Sequence, residues 1–281
     1  MKRLLLLICS LIWIAACSSA VQTDEGPESP VLPMQTNDAN APITPAQAPN
    51  ESPPATSFAA EIELAFTPLQ MNPLNKERPS RQWLLAGELP LGNVLDQPAT
   101  LVLFGEDDQE ISDTSPLHAM IRHNDDYYVL PYELLGIPSI ENSSLFLLNY
   151  SFSERYLLVG GLELYANGPG LVGYVVYDIA NGQWLTFDRW GKPQIIDLDS
   201  DGKEDFIIQF EGLHLSFPDL TIYAWSGEDI QESESVQVAV TGISKGYALL
   251  GSERKIEIGT LESETHALYV YREGKLIRIS S

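Results

Sequence analysis

Cysteine is nearly absent from these 281 residues: Cys9 and Cys17 are the only two. Neither lies in the long C-terminal part, so no disulfide can brace it. Its stability has to come from apolar burial or a bound ion. Bases are scarce too, 16 Lys and Arg against 39 acids, for a formal charge of −23. Such a surface repels nucleic acid and anionic headgroups, because phosphate binding needs clustered Lys and Arg. It is compatible with calcium and with cationic or neutral partners. The four histidines, His118, His123, His214 and His266, form no HExxH or paired metal spacing. The apolar run at Leu4–Ala16 is too short to span a hydrocarbon core of ~30 Å. No segment holds a 3.6-residue period for three turns, which excludes a helical bundle.

What is present begins with "MKRLLLLICSLIWIAACSSA". Lys2 and Arg3 precede the apolar run, as in a signal peptide. Ile14-Ala15-Ala16-Cys17 resembles the lipobox of bacterial lipoproteins: an aliphatic residue, two small ones, then the acylated cysteine. The resemblance implies cleavage before Cys17, lipidation of Cys17 and anchoring to the outer face of a membrane in the bacterial cell envelope. Several acyl chains on one residue anchor stably where one holds only marginally. Loss of Lys2 and Arg3 with the signal would take the charge from −23 to −25. Residues 18–58 hold eight prolines, five acids and no base. Such a segment buries too little surface to offset the entropy of ordering, and reads as a disordered tether. Its reach lies between a coil of roughly 35 Å and a polyproline rod of about 125 Å. The expected organisation is a signal peptide at 1–16, a lipid-anchored Pro-rich linker at 17–58 and a body at 59–281.

The body reads as strands. Short apolar or alternating runs include "TLVLF" (100–104), "AMIRH" (119–123), "YYVL" (127–130), "SLFLLNY" (144–150), "RYLLVGGLELY" (155–165) and "GYVVYDI" (173–179). Others are "QWLTF" (183–187), "DFIIQF" (205–210), "LTIYAW" (220–225), "VQVAV" (236–240) and "ALYVY" (267–271). Turn pairs such as Asn181-Gly182 and Glu273-Gly274 punctuate them. "PYELLGI" (131–137) is expected to make a short helical turn. Tyr177, Trp225 and Tyr271 each sit in an aromatic strand before a Gly turn, and recur near the period of four-stranded propeller blades. The fold class expected is all-β, propeller-like or built of stacked antiparallel sheet repeats.

One loop carries distinct chemistry. "QIIDLDSDGKEDFII" (194–208) spaces acids as Asp-x-Asp-x-Asp-Gly-x-x-Asp. Oxygen ligands at alternate positions can converge on one cation, and Gly202 permits the sharp bend. The candidate calcium ligands are Asp197, Asp199, Asp201 and Asp205, with the backbone carbonyl of Lys203. An EF-hand is excluded by Ile208 at the twelfth position and by β-branched residues on both sides. The strand–loop–strand setting resembles the FG-GAP and VCBS repeats of integrin-α-type β-propellers, whose consensus is close to "DLDGDGKPDLVV". The resemblance implies calcium held between two strands of a blade, and covers about twelve residues closely. "AGELPLGNVLDQPATLVLF" (86–104) reads as a copy that has lost its acids.

Other motifs lead elsewhere. "GPGLVG" (168–173) matches a dinucleotide fingerprint but precedes a strand, which excludes nucleotide binding. "GISKG" (242–246) matches a nucleophile elbow, yet too little chain follows Ser244 to complete a hydrolase sheet. Trp184, Trp190 and Trp225 are either core or a sugar-stacking surface. The reading that results is a non-enzymatic exported lipoprotein whose calcium-stabilised head binds a protein or glycan. The alternative is an exported hydrolase or lyase using cleft carboxylates.

Overall fold

The computed structural model describes residues 58–280 apart from 107–111, 113–114, 142, 165–169, 214–215, 243–244 and 262–264. The expected signal segment, Cys17 and the expected linker up to residue 57 lie outside them. An opening segment supplies four very short strands, β1 (Glu61–Glu63), β2 (Phe66–Pro68), β3 (Asn72–Pro73) and β4 (Asn75–Lys76). Four meanders of four strands follow. The first is β5 (Trp83–Val94), β6 (Gln97–Glu106), β7 (Pro116–His123) and β8 (Asp126–Leu135). The second is β9 (Leu145–Ser151), β10 (Tyr156–Glu163), β11 (Leu171–Asp178) and β12 (Gln183–Trp190). The third is β13 (Lys192–Ile196), β14 (Asp205–Phe210), β15 (Asp219–Ser226) and β16 (Asp229–Ser233). The fourth is β17 (Gly246–Leu250), β18 (Ile256–Thr260), β19 (His266–Arg272) and β20 (Lys275–Ser280). The described body is all-β and antiparallel throughout, as its alternating runs and turn pairs predict.

Each meander becomes a five-stranded sheet by taking one strand from the opening segment. β4 joins β8, β3 joins β12, β2 joins β16 and β1 joins β20. The segment therefore crosses the outer edge of every sheet, meeting the fourth first and the first last. It also carries a leucine at every fifth position. Leu64, Leu69 and Leu74 are all buried, and their N–H groups donate to Gly274 O, Ile230 O and Trp184 O at 2.8–2.9 Å.

Those leucines mark three intersheet cores. Leu74 packs with Leu101, Ile121, Val175 and Trp184 between the first and second sheets. Leu69 joins Tyr174, Phe187, Phe206 and Tyr223 between the second and third. Leu64 joins Ile207, Ile222, Ile258 and Tyr269 between the third and fourth. Sheets in mid-stack are covered on both faces, which is why all eight residues of β11 are buried. Phe58, assigned above to the linker, is buried in the last of these cores.

Two local expectations are corrected. "VQVAV" is a helix, α1 (Val236–Thr241), despite its strand-like residues. Ser235 Oγ accepts from Val238 N at 3.2 Å, Asp219 Oδ1 accepts from Gln237 N at 3.0 Å, and Gly242 closes the end in the left-handed region. Caps at both ends and packing on β15, β17 and β18 override a β-branched propensity. "PYELLGI" is strand through Leu135, because Glu133, Leu134 and Leu135 pair with His118, Leu117 and Pro116. Among the described residues, no helix is long and apolar enough to cross a membrane.

Candidate metal centre

The link between the first two strands of the third sheet is the aspartate loop. The pair Ile196–Asp205 closes it, and Leu198 drops into the core between the third and fourth sheets with 2% of its surface exposed. Burying Leu198 fixes its neighbours Asp197 and Asp199. Gly202 turns the loop at φ 89°, with nothing within 4 Å of where a Cβ would lie. The first sheet makes the same connection, within residues 86–104, by a tight turn at Leu95 and Asp96. That turn holds a single acid, Asp96.

Three of the four aspartates converge. One carboxylate oxygen from each of Asp197, Asp199 and Asp205 lies within 4.8 Å of the others. At that spacing each pair repels by about 3 kcal/mol at a near-surface dielectric constant of ~20. Asp201 is not one of the converging three and pairs with Lys203. Lys203 N donates to Asp201 Oδ1 at 2.7 Å, and Lys203 Nζ lies 3.6 Å from Asp201 Oδ2.

The loop is partly wired internally. Leu198 N donates to Asp205 Oδ2 at 2.8 Å and Asp201 N to Asp199 Oδ1 at 3.0 Å. Burial is the main cause that lifts the Asp205 carboxyl above its ordinary range; the Leu198 N–H opposes it, and the charges of Asp199 and Asp201 add to it. Asp197 divides its oxygens differently. Oδ2 accepts from Arg254 Nη1 at 3.0 Å, whereas Oδ1 is buried with no hydrogen-bond partner. A buried carboxylate oxygen left unpartnered is costly unless a cation completes it. The donor set, all hard oxygens, suits calcium better than a transition metal.

Neighbouring sheets close on the loop from both sides. Tyr150 of β9 donates its hydroxyl to Glu204 O at 2.7 Å. Burial first, then the carboxylates of Asp205 and Glu204, push that hydroxyl up to about 12. Burial and Asp205 do the same to Tyr271 of β19. A cleft of about 480 Å³, lined by Asp199, Ser200, Asp201, Glu61, Arg272 and Lys275, opens beside the loop on its Asp199 side.

The remaining candidates are dispersed. Trp184 is fully buried and Trp225 is half-buried, packed edge-on to Tyr156 at 5.7 Å, which leaves Trp190, 39% exposed, as the most exposed of the three. His123 is buried with Nε2 3.2 Å from Val94 O, and His118 stacks on Trp83 at 4.1 Å. Cys17, Ser244 and His214 fall outside the described residues. Gly242 ends a helix and Gly246 begins a strand, the reverse of a nucleophile elbow. Comparison with protein-family models, curated proteins and solved structures returns no match.

Proposed function

We propose that this chain is an exported lipoprotein, held by Cys17 to the outer face of an envelope membrane, whose stacked-sheet head is stapled by calcium. Asp197, Asp199 and Asp205 hold the ion, with Asp201 and the Lys203 carbonyl drawn in as the loop tightens. The head works by binding, with a protein or a glycan as its partner. One observation carries the reading: Asp197 Oδ1 is buried and unpartnered beside two further carboxylates. An ion there offsets their repulsion and braces a body that has no disulfide. At a free concentration ten times its Kd, calcium would add about 1.4 kcal/mol to stability.

Thermal unfolding of the full chain with calcium, and then with excess chelator, tests the staple. Calcium raises the melting temperature of the wild type and leaves an Asp199→Ala variant unmoved; equal temperatures in both media for the wild type would sink the reading. Anchoring is tested separately, since Cys17→Ser is expected to move the chain from the membrane fraction to the soluble one.

A further inference from the structure

Arg254 stands out because it serves a sheet other than its own. It lies in the turn Ser252–Arg254, which links β17 to β18 of the fourth sheet. Its Nη1 nevertheless donates both to Asp197 Oδ2 at 3.0 Å and to Ser200 Oγ at 3.1 Å in the third. One guanidinium nitrogen thus grips the first and fourth positions of the aspartate loop. The turn that delivers it is strained: Glu253 and Arg254 both have φ of 60°, a region that residues other than Gly, Asn and Asp seldom occupy. Lys255, next in the chain, pairs with Glu253 at 2.6 Å and not with the loop. Among the described residues, Arg254 is the one base that bonds a carboxylate of the converging three.

We propose, building on the calcium reading above, that Arg254 is the resident cation of the aspartate loop and that an incoming divalent ion competes with it. The guanidinium supplies one positive charge where three carboxylates meet. It holds the loop closed when no ion is bound and ties that loop to the fourth sheet. Calcium arriving at Asp197 Oδ1 meets repulsion from a cation bonded to the other oxygen of the same carboxylate. Ion binding therefore loosens the Arg254 contact and lets the strained turn relax. Calcium is sensed in the third sheet and answered in the fourth.

The test uses the full chain with calcium alone as ligand. Isothermal titration gives the affinity, and thermal unfolding in chelator gives the ion-free stability. Arg254→Met keeps the apolar stem and removes the charge. It is expected to bind calcium at least about tenfold tighter, the factor that a unit charge a few ångströms from a divalent ion is worth even where water screens it fully. Its melting temperature in chelator should fall, so its calcium-dependent rise exceeds that of the wild type. Arg254→Lys, which keeps the charge, serves as a second variant and should lie between the two. Binding by Arg254→Met but not by the wild type would support the proposal in its strongest form. Equal or weaker binding by Arg254→Met overturns the proposal and leaves the calcium reading standing. Absence of calcium binding in wild type and both variants overturns the two together.

Discussion

The Asp178 carboxylate is almost completely buried, and four donor groups surround it. Arg155 Nη2 and Nε lie at 3.2 and 3.4 Å, the Asn181 amide at 2.8 Å and the Asn181 N–H at 3.1 Å. Burial alone would raise this carboxyl, but these donors outweigh it and hold it below the ordinary carboxylate range. A depressed folded value means stability that is present above the unfolded value, near 3.9, and lost as pH falls through the folded one. Asp178→Asn should therefore cost about 1–3 kcal/mol at pH 7. Urea unfolding from pH 7 down to pH 3 should show the gap to wild type closing; a constant gap would mean the charge is not what matters. Asp197 is the counterpart with too few donors, since one oxygen is bonded by Arg254 and the other is buried without a partner. The convergence of Asp197, Asp199 and Asp205 was legible in the sequence because the three lie in one short loop. Tyr150 and Arg254 were not, since they lie 54 and 57 residues from their partners. Nothing in a single strand or turn announces a contact made across sheets.

Strands inside the meanders were readable from alternation and turn residues. So was the repeat: Tyr177, Trp225 and Tyr271 occupy the next-to-last position of β11, β15 and β19, the third strands of three sheets. In the first sheet that position is Arg122 of β7, which pairs with Glu88 at 2.8 Å, so the aromatic signal disappears there. α1 was hidden because its identity lies in Ser235, Asp219 and Gly242 and not in its own residues. The opening segment was hidden for a different reason. Strands of two or three residues, two of them ending in proline, are strands only because remote edges pair with them. A five-residue leucine spacing also fits neither period used to find elements. Leu69 fills the core between the second and third sheets, and Leu69→Ala should cost about 2–5 kcal/mol. Chemical denaturation would measure it; a loss within error would mean that the segment merely covers edges that stand without it.

A molecule with a formal charge of −23 stores self-repulsion throughout its surface. Among the described residues several ion pairs are exposed on both sides and contribute little, such as Lys76–Asp126 and Lys275–Glu61. Screening should therefore relieve more repulsion than it removes attraction. Sodium chloride raised from low concentration to 0.5 M, with chelator present, is expected to raise the melting temperature. A fall would mean that the ion pairs outweigh the net charge. The segment crossing all four sheets has a further consequence, for the order in which the chain can fold. Asn75 waits for Val129, Asn72 for Thr186, Thr67 for Glu232 and Glu61 for Ile277. Each closure spans a longer loop than the one before, and longer loops close at greater entropic cost. A chain emerging from its N-terminus fastens this segment backwards, its last strand first and its first strand last. The earliest structured residues to appear are thus the final ones to find their place, and completion of the fourth sheet is what ends the wait.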